Sequence, residues 1–393
     1  MNQLFARLKG DRTIWLIVCC LSLLSILAVY SSTGTLAYKY QAGNTEHYIL
    51  KHMLLLAFGL GMMYLCHLLD YRYYSKLGMW MLYASVPLLI ITLGFGTDLN
   101  EAKRWITLPG INVSFQTSDL AKLALIMYLA RIISRKQEVI DDFKEAFLPT
   151  FLPVAIVCLL IMPADFSTAV ILFLTCLILM FVGRINWKHM LGLTGLVSFG
   201  GIIGLVLLLN VPTEYLPGRM PTWKSRIESY MHGDTETSYQ VAQSKIAIAK
   251  GGIMGQGPGN SNQRNFLPHP YSDFIYAIII EEYGFLGGFI VLFLYLALLL
   301  RAVKIVVRCP KAFGAFLAFG LSLSLVLQAL INMGVSVNLL PVTGLTLPFV
   351  SMGGTSMVFT SISIGILLSV SRSVDELVEE EELKQAEVGF AGA

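Results

Sequence analysis

Long apolar runs alternate with short polar segments along most of this chain. A helix needs about 20 mostly apolar residues to cross the hydrocarbon core of a bilayer. The pattern therefore predicts an all-α integral membrane protein with about ten transmembrane helices, the fourth being the weakest because Lys122 interrupts it. The predicted spans are 13–32, 50–69, 80–96, 118–133, 147–163, 167–182, 190–210, 274–300, 313–332 and 355–371.

Lys and Arg residues between these runs predict the orientation, because short cytoplasmic loops carry an excess of them. If the N-terminus is cytoplasmic, sixteen of these residues lie in inner segments and only three or four in short outer loops. Both termini are therefore predicted to lie in the cytoplasm. The basic start of the chain resembles a signal peptide, but the long first run and the lack of a small-residue cleavage site favour a retained helix.

One polar stretch, residues 211–272, is far longer than the others and is predicted to be extracytoplasmic. Apolar residues recur at helical spacing from Tyr239 onward, which predicts a short amphipathic helix over 239–250 at the membrane interface. Its polar residues Gln243 and Lys245 are candidate substrate-binding residues.

Glycines are concentrated directly after this helix, with five in the nine residues 251–259. The segment lacks the strand–turn–helix setting of a nucleotide-binding loop. It predicts a tight turn whose backbone approaches the membrane or a lipid headgroup. In the domain organisation, residues 1–374 form one membrane domain, and the acidic residues 375–393 form a solvated, disordered cytoplasmic tail.

Composition supports a membrane location and excludes an ordinary soluble domain. The chain is 55% hydrophobic and only 13% charged, and its mean hydropathy is +0.68. A soluble domain carries about twice that charged fraction. The six cysteines lie within or beside apolar runs and show no metal-ligand spacing. No nucleic-acid partner is expected.

Ionisable residues within or beside the spans are the candidates for function, because they are costly in a membrane. Asp273 lies where the outer stretch enters the eighth span, a position that is equally typical of a helix N-cap. Asp119 and Lys122 are three apart at the start of the fourth span, so they share one face and can pair, either structurally or around a substrate. Arg104 precedes them in a cationic outer loop.

Two further carboxylates admit either a structural or a pathway role. Glu281 lies about 12 Å deeper along the eighth span than Asp273, at 1.5 Å per helical residue, and a helix-packing hydrogen bond is the simpler interpretation. Asp165 lies in the tight turn that joins the fifth and sixth spans.

Several ordered motifs, which together cover nearly the whole chain, resemble the signature of the SEDS family of shape, elongation, division and sporulation proteins. The glycine-rich motifs resemble the division branch of that family more than the elongation branch. The motifs are Arg104–Ile106, Phe115–Lys122, Gly255–Ser261, Ser272–Tyr276, Glu281–Gly284, Asn332–Gly334 and Leu340–Gly354.

The resemblance implies a membrane-embedded glycosyltransferase that joins lipid II units at the outer face of the bacterial cytoplasmic membrane. The family's catalytic aspartate falls on Asp273, and its Ser-Glu-x-x-Lys pattern places Lys122, with Asp119 where the family usually has Glu. Ser272 keeps a hydroxyl beside Asp273 where the family has Thr. The implied partners are a class B penicillin-binding protein and other divisome proteins at the division septum.

The implied reaction inverts an α-linked undecaprenyl pyrophosphate donor to a β-1,4 product, so it needs one base to deprotonate the acceptor hydroxyl. Asp273 is the candidate base. Lys122 and Arg104 are candidates to neutralise the leaving pyrophosphate, together with a divalent cation such as Mg²⁺ held partly by Asp273. A lipid II flippase that uses Glu281 as a pathway residue, and a division scaffold that recruits a penicillin-binding protein, are alternative functions.

Overall fold

Helices account for nearly all of the regular structure. The computed structural model describes residues 9–34, 45–99, 102–107, 114–216, 218–232 and 236–391. Within these ranges the helices are α1 (Arg12–Ser32), α2 (Thr45–Leu68), α3 (Tyr71–Phe95), α4 (Thr117–Arg135), α5 (Leu148–Ile161, extended at its start by a π-helical turn, Phe143–Phe147), α6 (Phe166–Val182), α7 (Trp187–Asn210), α8 (Met220–His232), α9 (Glu236–Gly251), α10 (Ile275–Arg308), α11 (Ala312–Ser336) and α12 (Thr355–Ala391).

Each of the ten predicted spans coincides with one of these helices to within a few residues, apart from extensions of α3, α10 and α12 beyond the predicted ends. Eight helices in the described ranges are long and apolar enough to cross a membrane, and α6 is apolar but shorter. α4 is the charged span that the sequence marked as weakest. The predicted helical architecture is confirmed.

The bundle is organised around α11, which packs against α4, α6, α10 and α12. Glycines let other pairs approach closely, as is common between membrane helices. A Cβ at Gly78 of α3 would lie 2.5 Å from Met127 Cβ of α4, and one at Gly365 of α12 would lie 2.4 Å from Met63 O of α2. α7 differs from these packed helices, because none of its 18 most apolar consecutive residues is buried.

A three-stranded antiparallel sheet precedes α4 and was not predicted. It contains β1 (Thr97–Leu99), β2 (Ala102–Thr107) and β3 (Ser114–Gln116) in that order, with Ile106 opposite Phe115. Strands of three to six residues are too short to show a clear alternation of apolar and polar positions. The sheet carries Arg104 on its middle strand, which contacts α3 and α4.

The outer stretch forms two helices where the sequence predicted one. α9 contains the predicted helix and packs on α10 and α11, burying Ser244 and Ala247 completely. The predicted apolar stripe remains exposed, including Tyr239 and Ile246. The location of this stripe at the membrane interface stays a prediction. α8 has no counterpart in the prediction.

The glycine-rich turn packs into a break in α10, where Gly284 has non-helical torsions (φ 71°, ψ −172°). The N–H groups of Gln256 and Gly257 donate to the carbonyls of Glu281 and Glu282 at 2.9 Å each. A Cβ at Gly255 would lie 2.2 Å from Glu282 O, so only glycine allows this approach. The predicted tight turn is present and satisfies the helix groups freed by the break, while the approach of this backbone to lipid stays a prediction.

The acidic tail is also helical, which corrects the prediction of disorder. α12 continues from the membrane domain to Ala391. Six of the tail's nineteen residues are Glu and three are Ala, and both are good helix formers. Its helix extends from a well-packed beginning, since Ser371 and Val374 are buried, and it therefore needs no new nucleus.

Candidate functional site

Asp273 lies at the end of the bundle that carries α8 and α9, here called the outer end. It is not the cap of α10, because the N-cap residue is Phe274 and makes no side-chain cap hydrogen bond. The Asp273 carboxylate instead accepts a hydrogen bond from Ser272 Oγ at 2.8 Å. Its side chain is partly buried. The N-cap alternative is therefore excluded.

The backbone around Asp273 is held by the segment between α11 and α12, residues 337–354. Asn332 Nδ2 of α11 donates both to Asp273 O, at 2.9 Å, and to Leu345 O, at 2.6 Å. Ser351 Oγ donates to Ser272 O at 2.7 Å. These bonds fix the position of Asp273 relative to the 337–354 segment.

Asp119 and Lys122 form the predicted pair at the outer end of α4. Lys122 Nζ lies 3.3 Å from Asp119 Oδ1 and 3.1 Å from Gln328 Oε1 of α11. Gln328 Nε2 in turn donates to Thr346 O at 3.0 Å. The ammonium group of Lys122 is thereby connected to the same 337–354 segment that holds Asp273.

Arg104 forms an ion pair that the sequence did not predict. Its Nη1 lies 2.7 Å from Asp165 Oδ2, and both side chains are largely buried. Asp165 also caps α6, since its Oδ1 accepts the N–H of Thr168 at 3.1 Å. The turn between α5 and α6 therefore places Asp165 where it holds the Arg104 guanidinium. The polar residues at this end of the bundle are here called the outer cluster: Arg104, Asp119, Lys122, Asp165, Asp273 and the residues bonded to them.

Arg226 of α8 is a further member of this cluster, and the sequence reasoning missed it. Its Nη1 donates to Thr343 O at 3.2 Å. A Cβ at Gly344 would lie 3.6 Å from Asp273 Oδ2 and 3.8 Å from Arg226 Nη2, so the carboxylate and the guanidinium face each other across this glycine. The available signal was an unusual group of basic residues in an outer segment, Arg219, Lys224 and Arg226.

The outer cluster contains buried polar atoms with no hydrogen-bond partner among the described residues. Buried polar groups are nearly always paired with protein or ordered water. Unpaired donors and acceptors of this kind are available to ordered water or to a bound ligand. These atoms are Arg104 Nε, Asp119 Oδ2, Asn332 Oδ1 and Thr343 Oγ1.

Glu281 occupies a structural position. Its carboxylate is completely buried and accepts hydrogen bonds from Ser261 Oγ and from the N–H groups of Asn262 and Gln263 at 3.2–3.3 Å. Glu282 accepts from Ser31 Oγ of α1. Glu281 therefore anchors the outer stretch to α10, which favours the structural alternative over the pathway alternative.

Gln243 and Lys245 do not join the cluster. Neither side chain forms a hydrogen bond or ion pair within the described ranges, and Lys245 is exposed. Between them, Ser244 Oγ donates to Ser336 O at 2.7 Å. This stretch of α9 contacts the end of α11 rather than Asp273.

The protein ligands near Asp273 are too few to hold a metal ion unless a substrate supplies the remaining ligands of that ion. No group of three or more His, Cys, Asp or Glu side chains that could hold a metal occurs within the described ranges. Mg²⁺ is commonly bound by one or two carboxylates together with substrate phosphates. Asp273 could supply the protein ligand, and the ion would then add positive charge at the pyrophosphate.

Comparison with known proteins places this arrangement in a family. The model of the FtsW/RodA/SpoVE family of cell cycle proteins matches residues 11–376. The chain belongs to this family. Its members are the SEDS proteins that the sequence motifs resemble.

Individual relatives match over nearly their whole length. Stage V sporulation protein E of Bacillus subtilis is 34% identical over 371 residues, covering 93% of this chain and 98% of the relative. A probable peptidoglycan glycosyltransferase FtsW of Geobacter sulfurreducens is 32% identical over 368 residues, covering 92% and 95%. The match to FtsW sequences agrees with the predicted resemblance to the division branch.

Solved structures show the same fold. A chain of a peptidoglycan synthase complex that coordinates polymerization and crosslinking is 24% identical, with a TM-score of 0.73, covering 93% of this chain and 98% of that one. The rod shape determining protein RodA of Thermus thermophilus is 23% identical, with a TM-score of 0.66 and the same coverage. This SEDS chain is accordingly a multi-pass membrane protein.

Proposed function

We propose that this SEDS protein is a peptidoglycan glycosyltransferase that polymerises lipid II into β-1,4 glycan strands, with inversion at the donor sugar. The observation that carries the proposal is the partly buried Asp273 carboxylate, which faces Arg226 across Gly344 and is linked through the 337–354 segment to Lys122. Relatives that carry the name peptidoglycan glycosyltransferase support it.

The chemistry assigns one role to the carboxylate and another to the cations. Direct displacement with inversion requires a single base near the acceptor sugar's 4-hydroxyl, and Asp273 takes that proton. The pyrophosphate is already a good leaving group and needs no acid. Its developing negative charge is stabilised by fixed cations, Lys122 and Arg104, each held by a buried carboxylate.

The proposed setting follows from the same family membership. With both termini in the cytoplasm, α8, α9 and the outer cluster lie on the extracytoplasmic side of the bacterial inner membrane, where lipid II is displayed. The proposed partners are a class B penicillin-binding protein, which crosslinks the strands, and other divisome proteins at the septum. Similarity to a chain of a peptidoglycan synthase complex supports such an assembly.

The decisive test is Asp273→Asn in purified protein reconstituted with lipid II. The variant keeps the side-chain shape but loses the base, so we expect polymerisation to fall by about 10²–10⁴-fold. The matched control is Asp70→Asn, since Asp70 is an exposed N-cap of α3 at the opposite end of the bundle. Glycan chain length is followed by gel electrophoresis, with Mg²⁺ and with chelator.

Near-normal polymerisation by Asp273→Asn would overturn the proposal. The flippase alternative is measured in the same proteoliposomes by lipid II translocation. Unchanged translocation by Asp273→Asn together with lost polymerisation supports the enzyme. Loss of translocation in Glu281→Gln with normal polymerisation would instead favour transport.

A further inference from the structure

Arg226 differs from the other cations of the outer cluster in its partners. Arg104 and Lys122 each form an ion pair with a buried aspartate. Within the described ranges Arg226 forms no ion pair, and its guanidinium donates a hydrogen bond to the neutral carbonyl of Thr343. It is nevertheless only partly exposed. A guanidinium in such a place retains donors for a further partner.

The electrostatic surroundings of Arg226 favour an anion. Burial lowers the pKa of Arg226, and the charge of Arg104 lowers it further. The carboxylates of Asp165 and Asp273 act on this pKa in the opposite direction. Removing a charge from water without a close counter-charge is costly. A bound anion would offset that cost, and a guanidinium binds two phosphate oxygens in a fork that an ammonium cannot reproduce.

The position of Arg226 is fixed by the docking of α8 on the bundle. Arg226 and Tyr230 lie four residues apart on one helical face, and Tyr230 OH donates to Leu339 O at 3.3 Å. The Trp223 ring lies 5.0 Å from the Phe166 ring at the beginning of α6. α8 therefore holds Arg226 beside Thr343 and Gly344, close to the Asp273 carboxylate.

We propose that Arg226 is a further catalytic residue, whose guanidinium binds the phosphate oxygens of the prenyl diphosphate donor opposite Asp273. The inference rests on the proposed glycosyl transfer. It adds a residue of α8 that binds the diphosphate leaving group. In this arrangement the diphosphate is bound by Arg226 together with Lys122 and Arg104, while Asp273 faces the acceptor.

Direct binding tests the assignment without requiring activity. Farnesyl diphosphate and farnesyl monophosphate are titrated calorimetrically into the full chain in detergent. Arg226→Gln is expected to weaken diphosphate binding by at least about 10-fold, the size of one charge-assisted hydrogen bond, and to change monophosphate binding less. Arg226→Lys should be intermediate, because it keeps the charge and loses the fork.

Lys224→Gln is the matched control on the same helix. Lys224 is also a buried cation, but its Nζ donates to Val211 O at 2.7 Å and lies 3.8 Å from Glu228 Oε1, and residues two apart do not share a helix face. It should leave diphosphate affinity unchanged. Unaltered affinity in Arg226→Gln, or an equal loss in Lys224→Gln, would overturn the assignment. A polymerisation-competent Asp273→Asn would overturn the proposed function itself, whatever Arg226 does.

Discussion

Two aspartates at opposite ends of the bundle have equally buried side chains, each 6% exposed, yet their partners differ. At the inner end, Asp11 Oδ1 accepts the N–H groups of Thr13 and Ile14, and Asp11 Oδ2 accepts from Arg301 Nε at 2.8 Å. At the outer end, Asp119 Oδ1 is paired with Lys122, while Asp119 Oδ2 has no partner in the described part of the chain.

This difference separates stability from function. The inner cluster fastens the beginning of α1 to α10 and α12, since the Asp11 N–H also donates to Ser371 Oγ at 2.9 Å. Both oxygens of its carboxylate are bonded, so it has little left to offer a ligand. The outer cluster keeps unpaired polar atoms beside fixed charges. Changes at the two ends should therefore affect different measurements.

Among changes to the two buried ion pairs, the largest effect on activity is expected for Lys122→Ala at the outer end. Loss of a fixed cation beside the leaving group should reduce lipid II polymerisation by about 10²–10³-fold, or roughly 2.7–4 kcal/mol. The change also leaves the buried Asp119 without its counter-ion, which destabilises the protein, so activity is compared per folded molecule.

The double variant Asp119→Asn with Lys122→Met decides whether this pair is purely structural. If activity returns when both charges are removed, Lys122 acts only as the counter-ion of Asp119. Continued inactivity with a folded protein keeps Lys122 as a ligand of the substrate.

At the inner end, Asp11→Ala should lower stability but leave activity per folded molecule nearly unchanged. It leaves Arg301 without its carboxylate and removes the cap of α1, at a cost of about 3 kcal/mol. We expect a clear drop in the thermal midpoint, measured by intrinsic fluorescence. Activity per folded molecule should stay within about 2-fold, and a loss comparable with that of Lys122→Ala would contradict the separation of the two ends.

Glu281→Gln should reduce activity to an intermediate extent. Both carboxylate oxygens of Glu281 accept hydrogen bonds, as in Asp11, but Glu281 also anchors the chain that leads to Asp273. The amide keeps the shape and loses acceptors for Asn262 and Gln263, at a cost of about 1–3 kcal/mol. Proteolysis of the 259–266 segment should become faster, and polymerisation should fall less than in Lys122→Ala. The reverse order of the two activity losses would give Glu281 a direct role.

The smallest effect is expected for Asp142, a fully exposed carboxylate at the inner end. The N–H groups of Lys144 and Glu145 donate to it and lower its pKa. Its capping contribution is therefore present above the ordinary aspartate pKa of about 3.9 and is lost as pH falls through the lower folded value. The difference in thermal midpoint between Asp142→Asn and unaltered protein should shrink from pH 6 to pH 3.

Much of the fold was predictable because membrane helices are defined by local composition. The ten spans, the pairing of Asp119 with Lys122 and the helix containing Tyr239 all depend on spacing within one segment. The features that sequence reasoning missed depend on distant contacts. Arg226 reaches the site only because α8 docks on the 337–354 segment, and the glycine-rich turn meets α10 only at the break made by Gly284.

The sequence also could not distinguish between chemically similar carboxylates. Asp165 and Glu281 were left with the same two alternatives. Asp165 proved to lie in the outer cluster with Arg104, whereas Glu281 is enclosed by backbone N–H groups. The identity of the partner decides the role, and that partner lies 61 residues away for Asp165 and about 20 for Glu281.

The hydrogen bonds between the glycine-rich turn and the break in α10 have a consequence for membrane insertion during synthesis. The two carbonyls that accept from Gln256 and Gly257 belong to a helix that is synthesised after the turn. When α10 enters the bilayer, its partners have therefore already been made and precede it across the membrane. The outer part of α10 can therefore pair those carbonyls as it enters the bilayer, where each unpaired group would cost several kcal/mol. Chain order thus supplies each donor before its acceptor needs it.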